Sequence, residues 1–289
     1  MQLKQTLAAA VTRLSADEVP SARLNAESLL MFTLDCDRTY LYAHPERELT
    51  HDEQSRYDAV LAERALGVPT QYITGHQEFW GMDLIVSPAV LIPRPETEHV
   101  VETVLELAEV KKTGGQKALP LTNSLRIADV GTGSGCIALA LAKELPQAEI
   151  HAIDISAAAL EVARANAARH QLESRFQFHE TDLMTGFEND TFDFIVSNPP
   201  YVGESEEDQV QLEVRKFEPR GAVFAGPTGI EVIEHLIPQA RAALKPGGWL
   251  VMEVSRTISE KVRQLLQDWN DVRMRQDLQS IPRVAQARK

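Results

Sequence analysis

From Arg126 onward the chain alternates between two periodicities. Short runs rich in β-branched and aromatic residues, "RIADV", "EIHAI", "RFQFH", "FDFIVS" and "GWLVMEV", are interleaved with helical patterns. Those are "CIALALAKEL", "SAAALEVARANAARH", "IEVIEHLIPQARAAL" and "ISEKVRQLLQDW". A helix between two strands carries the chain back to the end where it started, so the strands must run parallel. The fold class this predicts is α/β, a doubly wound and mostly parallel sheet. "DVRMRQD" and "RVAQARK" close the chain with no helix between them and predict an antiparallel edge hairpin.

The first third reads differently. Leu3, Leu7, Val11 and Leu14 recur at helical spacing, "ARLNAESLLMFTL" follows, and "THDEQSRYDAVLAERAL" opens on Thr50 and Glu53 placed as a capping box. Residues 1–68 are therefore expected to form a small helical domain. "TQYITGHQEFWGMDLIVSP" alternates β-formers around a glycine-containing break and predicts a hairpin linker over 69–95. The α/β domain then occupies 96–289, beginning with the proline-started helix of "LIPRPETEHVVETVLELAEV". Residues 111–124, "KKTGGQKALPLTNS", read as a loop.

Charge narrows the partners. With 29 basic and 42 acidic residues the formal net charge is −13, and residues 1–70 hold 7 basic against 11 acidic groups, so neither part offers the positive face that duplex binding needs. Two cysteines, Cys36 and Cys136, with no CxxC and no Cys/His cluster at ligand spacing, predict neither a disulfide scaffold nor a metal site. The N-terminus lacks the basic start and apolar block of a signal peptide, and no apolar run is long enough to span a bilayer. A cytoplasmic protein that does not engage membranes is expected.

"ADVGTGSGCIALALA" places Asp129 at a strand end, then Gly131, Thr132, Gly133, Ser134 and Gly135, then a helix. Glycines allow a sharp turn and close approach of a ligand, at the carboxyl ends of strands where open parallel sheets bind them. A dinucleotide fingerprint would have its third glycine where Cys136 stands, so the loop better suits a ligand without a pyrophosphate. Asp154 ends the next strand, placed to accept from both hydroxyls of a ribose, with a helix cap beside Ser156 as the alternative. Asp182 ends the third strand in "HETDLM", where its carboxylate would accept from an adenine amino group while Leu183 covers the ring. Alone, Asp182 reads as a surface-loop aspartate. In this order, the acidic strand ends and the glycine loop predict an adenosyl ligand.

"FIVSNPPY", Phe194 to Tyr201, ends a strand in Asn198, Pro199 and Pro200. Proline carries no N–H and locks φ, which stiffens the corner and leaves its carbonyls without local partners. Without the glycine loop upstream, a rigid strand-to-loop corner would be the better reading. The four acidic residues of "GESEEDQ" predict a solvated loop, which together with "VRKFEPR" could also fold over a bound substrate as a lid.

In order along the chain, "DVGTGSG", "AIDIS", "ETDL" and "SNPPY" resemble the class I S-adenosylmethionine-dependent methyltransferases. Together with "LIPRPETE", "TQYITGHQEFWG" and "RKFEPRGAVFAGPTG", the chain is similar over nearly its whole length to the peptide chain release factor glutamine methyltransferases, the PrmC or HemK family. The resemblance implies transfer of a methyl group from S-adenosyl-L-methionine to the side-chain amide nitrogen of the glutamine in the Gly-Gly-Gln motif of bacterial release factors. By the same resemblance Gly131 to Gly135, Asp154, Leu183 and Asn198 would line the cofactor site, beside the Asp182 read above from its strand, with Leu183 contributing through its backbone, and Asn198, Pro199, Pro200 and Tyr201 the substrate site. An amide nitrogen is a poor nucleophile with two N–H donors. The Asn198 oxygen and the Pro199 carbonyl are expected to accept one each while Tyr201 stacks on the amide plane. No histidine is needed as a base, because the proton can leave after transfer.

Two rival functions are weighed. An adenine- or cytosine-amino methyltransferase acting on DNA or RNA shares the "NPPY" element but normally carries a basic surface. A silent scaffold that merely holds cofactor is disfavoured by the intact "NPPY". A monomer is expected, with the helical domain helping to dock the release factor. Gly114, Gly115 and Gln116 repeat the expected target tripeptide, and coincidence is the better reading.

Overall fold

The computed structural model describes residues 1–108 and 125–289; the loop expected over 111–124, with Gln116, lies outside the described residues. Two compact units divide between His76 and Gln77, so the hairpin expected as a linker belongs mainly to the second.

In the first unit α1 (Leu3–Ala16), α2 (Ala22–Leu34), α3 (Arg38–Ala43), α4 (His51–Ala65) and α5 (Thr70–Thr74) enclose a core that includes Leu3, Leu14, Leu29, Leu30, Tyr57 and Leu61. The Thr50–Glu53 capping box forms: Glu53 N donates to Thr50 Oγ1 at 3.2 Å and Thr50 N to Glu53 Oε2 at 2.8 Å. Buried Tyr57 satisfies its hydroxyl on the Ala26 carbonyl at 2.9 Å, joining α4 to α2. "TQYIT", expected as strand, is α5 instead. The Pro69 carbonyl accepts from Tyr72 N and Ile73 N, and Gly75 at φ 77° ends the turn, so proline and glycine punctuation outweighs the β-formers between them.

The second unit opens within β1 (His76–Phe79) and continues into β2 (Met82–Ile85), the two joined by Trp80 and Gly81, which both have positive φ as a tight hairpin requires. A short 3₁₀ turn at Pro95–Thr97 leads into α6 (Glu98–Leu107). The sheet then forms from β3 (Arg126–Val130), β4 (Glu149–Asp154), β5 (Phe176–Glu180), β6 (Phe192–Ser197), β7 (Leu244–Glu253), β8 (Asn270–Gln276) and β9 (Pro282–Arg288). Its order is β5-β4-β3-β6-β7-β9-β8, with β9 antiparallel to both neighbours, so the final pair closes the sheet as an antiparallel hairpin.

Alternation along each strand explains the layers. Ile127, Phe194, Val196 and Val251 face α6 and α7 (Cys136–Glu144), while Ala128, Ile195, Leu250 and Met252 face α11 (Glu231–Ala243) and α12 (Ser259–Leu265). Burying each large aliphatic side chain contributes about 1.5–3 kcal/mol before conformational entropy is subtracted. The strand order reverses between β3 and β6, which opens the crevice where a ligand can enter. Residues expected as a loop or lid are partly helical: Glu204–Gln209 is a 3₁₀ turn, followed by α9 (Leu212–Phe217) and α10 (Arg220–Val223), while α8 (Ala157–Arg169) covers β4 and β5.

Candidate active site

The predicted ligand residues come together because four adjacent parallel strands end side by side. Gly131 N and Thr132 N both donate to the Ile153 carbonyl, at 2.8 and 2.9 Å, and pin the glycine loop to β4. Ser197 Oγ donates to the Val130 carbonyl at 2.7 Å, tying the end of β6 to the end of β3, so Asn198 and Gly131 leave the sheet from neighbouring positions. Gly131, Gly133 and Gly135 have φ of 71°, 55° and 81°. A Cβ at Gly131 or Gly133 would meet nothing within 4 Å, whereas one at Gly135 would press on Ala163 at 3.3 Å. The first two glycines therefore leave room above the loop, and the third serves helix packing. Thr132 and Ser134 are buried, so their side chains face inward. Asn166, fully buried on α8, donates to the carbonyls of Ser134 and Ile85 and accepts from Ile85 N, holding the loop and β2 together.

The carboxylates differ in kind. Asp154 is half-buried; its Oδ2 accepts from Gly133 N and its Oδ1 from Ser156 N, both at 2.9 Å. Helix capping belongs to Ser156, whose Oγ accepts from Ala159 N. Each Asp154 oxygen keeps a lone pair for a hydroxyl. Beside it Ile155 is 71% exposed, an apolar platform that the sequence reading passed over. Asp129 is 1% exposed, and burial pushes its carboxyl up to about 7 despite hydrogen bonds from Thr132 Oγ1 and Ala138 N to Oδ2. Its Oδ1 is buried without a hydrogen-bond partner. A cation near the loop would favour its charged form across that short distance. Asp182 is exposed just past β5, and Leu183 is half-buried at φ 50°, a left-handed turn that brings backbone rather than side chain to prominence. Open space over two glycines, a carboxylate with free lone pairs, an exposed apolar face and an orphaned buried oxygen together fit an adenosyl group carrying a positive charge.

Asn198, Pro199, Pro200 and Tyr201 line a cavity of about 160 Å³ with Leu91, Arg94 and valines from the segments beyond. Asn198 Nδ2 donates to Thr97 Oγ1 at 3.0 Å. Among the described residues nothing donates to the Asn198 side-chain oxygen or to the Pro199 carbonyl. Tyr201 is buried enough to push its hydroxyl well above the usual phenol range, and that hydroxyl donates to Glu253 Oε1 at 3.0 Å. Its ring is thus held along the cavity wall. The corner is braced from outside: Val202 N donates to the Val223 carbonyl, Ala225 N to the Val202 carbonyl, and a Cβ at Gly229 would stand 2.6 Å from the Tyr201 oxygen. Glu218 of "KFEPR" accepts from Ile92 N and Arg94 of "LIPRP", joining two stretches that the sequence shows far apart. Thr97, Glu253, Arg94 and Glu218 were not singled out from sequence. Glu253 alone left a signal, as a carboxylate closing the apolar strand "WLVME", where a charge must find partners.

Residues 5–75 match the family model described as PrmC N-terminal domain, and residues 116–216 match that of the methyltransferase small domain. The catalytic domain of hMettl16 in complex with a MAT2A 3'UTR hairpin shares the fold, at TM-score 0.56 and 17% identity, covering 79% of this chain and 81% of that one. A release factor glutamine methyltransferase of Xylella fastidiosa is 40% identical over 92% of this chain and 93% of its own length. That of Koribacter versatilis is 53% identical over 100% of this chain and 99% of its own. Helical unit, glycine loop and NPPY corner lie within that end-to-end match, and the chain belongs to the release factor glutamine methyltransferase family.

Proposed function

We infer that this protein methylates the side-chain amide nitrogen of the glutamine in the Gly-Gly-Gln motif of bacterial peptide chain release factors, using S-adenosyl-L-methionine. The observation that carries the reading is the state of Asn198: its nitrogen is committed to Thr97, so its oxygen and the Pro199 carbonyl remain as two unpartnered acceptors, on residues that line one small cavity. A primary amide has two N–H donors to match them. S-adenosyl-L-methionine would supply an electrophilic methyl on a sulfonium. The backbone of Gly131 to Gly135 would lie against it, Asp154 would accept from its ribose hydroxyls, Ile155 would pack on its base, and Asp182 and Leu183 would border that base.

The chain's own contribution to the chemistry is orientation and electrostatics. Asn198 and Pro199 hold the amide so that its nitrogen lone pair faces the electrophile, and the prolines keep both acceptors from swinging. As positive charge gathers on the nitrogen, the same fixed dipoles stabilise it without having to reorganise. Tyr201 walls the flat face, and Val210, Val214 and Val223 exclude water. The proton departs to solvent after transfer, so no side-chain base is required. The helical unit Met1–His76 docks the release factor, since one glutamine at a loop tip buries too little area for selectivity. The protein acts as a monomer in the cytoplasm.

Incubation with tritiated S-adenosyl-L-methionine and either release factor or duplex DNA tests this. Label on intact release factor, absent when the motif glutamine is replaced by alanine, is the expected result; label on the DNA instead overturns it.

A further inference from the structure

A carboxamide can sit in two orientations that exchange oxygen and nitrogen, and only one presents oxygen to the cavity. We propose that Thr97 and Glu253 are positioning residues that impose this orientation on Asn198 through a chain of donors with fixed direction. The proposal rests on the methyl transfer inferred above.

Glu253 ends β7 and is 3% exposed. Its Oε2 accepts from Thr97 Oγ1 at 2.6 Å and its Oε1 from Tyr201 Oη at 3.0 Å. A hydroxyl has one hydrogen, so a Thr97 that donates to Glu253 can only accept from Asn198. Asn198 must then turn its NH₂ to Thr97, as it does at 3.0 Å, and leave its oxygen for substrate. One buried carboxylate thereby fixes both ends of the NPPY corner, Tyr201 directly and Asn198 through the threonine. Arg94 and Arg283 lie near enough to act on this cluster, Arg283 favouring the anion, while Glu96 and burial oppose it. Burial pushes the Glu253 carboxyl up. A Glu253 protonated on Oε2, the oxygen that faces Thr97, would donate to the threonine, the threonine would donate to Asn198, and the amide would have to flip its oxygen away from the cavity. Turnover therefore requires the carboxylate form and falls on the acid side of the Glu253 titration.

The test compares Thr97→Val, Thr97→Ser and Glu253→Gln by kcat, KM and pH profile at saturating cofactor, with calorimetric cofactor Kd and thermal unfolding alongside. Thr97→Val should lower kcat by roughly tenfold to a hundredfold, the scale of a misoriented reacting group. Its cofactor Kd should stay within about twofold, because the glycine loop is untouched. Thr97→Ser should keep kcat within about threefold, since it retains the hydroxyl. Glu253→Gln should lose the acid limb, because an amide does not titrate there while its oxygen can still accept from Thr97. Wild-type kcat in Thr97→Val overturns the proposal, as does a Thr97→Ser loss equal to that of Thr97→Val. If Thr97→Val does not fold, a Glu253→Gln enzyme that keeps the acid limb overturns it. One readout is independent of the substrate: in protein carrying ¹⁵N-asparagine, the Asn198 side-chain amide should exchange slowly in wild type and Thr97→Ser and quickly in Thr97→Val. Unchanged exchange overturns the relay even if the substrate is not a release factor, whereas absence of label on release factor counts only against the inferred function.

Discussion

Asp129 has one carboxylate oxygen with two hydrogen bonds and another with none, both out of contact with water. Burial pushes its carboxyl up to about 7, which brings the protonated form within reach at neutral pH. A cation bound above the loop would favour the anion and expel that proton. Calorimetry of cofactor binding at pH 7 in buffers of different ionisation enthalpy should therefore show net release of a fraction of a proton, and none in Asp129→Asn. Asn198 is the counterpart on the substrate side. Asn198→Ala should leave cofactor Kd nearly unchanged, because the contacts of the glycine loop remain, while turnover falls roughly a hundredfold to a thousandfold, as for loss of one preorganised dipole. Single-turnover assays with methyl-labelled cofactor check both, and equal turnover by the variant removes Asn198 from the mechanism.

Among the elements, the NPPY corner is the least self-sufficient. It lacks two amide hydrogens and is held by neighbours, with Val202 paired to Val223 and Ala225 and Gly229 packed against the Tyr201 carbonyl. Gly229 combines φ 81° with no room for a Cβ, so Gly229→Ala must move either itself or the Tyr201–Gly203 backbone. Thermal unfolding should show a loss of about 1–3 kcal/mol, and kcat should fall at least tenfold with cofactor Kd preserved. Gly131→Ala should behave oppositely: its Cβ has open space, so the cost is backbone strain of about 1–2 kcal/mol and weakened cofactor binding. The β1–β2 hairpin and the glycine loop are braced together by Asn166, a polar residue with no periodic or motif signal in "ARANAARH".

For the molecule as a whole, buried titratable groups set opposing dependences on pH. His151 and His179, hydrogen-bonded to each other at 3.0 Å across β4 and β5, are both pushed below the usual imidazole value by burial. The unfolded chain then binds more protons, and stability falls as pH drops through about 6.5. Asp129 and Glu253 are raised, so the folded chain holds their protons longer, and the stability they contribute at acid pH is lost as pH rises through their folded values. The difference between wild type and His151→Gln isolates the first effect. Between pH 7.5 and 5.5 the wild-type melting temperature should fall more than that of the variant, and parallel curves would exclude the histidine pair. With net charge −13 and no basic half, the surface suits a protein target better than a phosphate backbone.

The period of each apolar run decides how an element packs, and those periods made the parallel sheet, its antiparallel closing pair and the helical first unit legible from sequence alone. Glycines with open space above them and a doubled proline were legible for the same reason, because their constraint lies in the residue type itself. Four things depended on the folded chain. "TQYIT" became helical once Pro69 and Gly75 bounded it, and the supposed loop around Leu212–Phe217 became helical above the cavity. Thr97 met Glu253 across 156 positions of sequence, and Arg94 met Glu218 across 124. Hydrogen bonds act over about 3 Å, so the partners of an isolated polar residue are set by which strands end side by side, a property of the sheet order rather than of the local sequence.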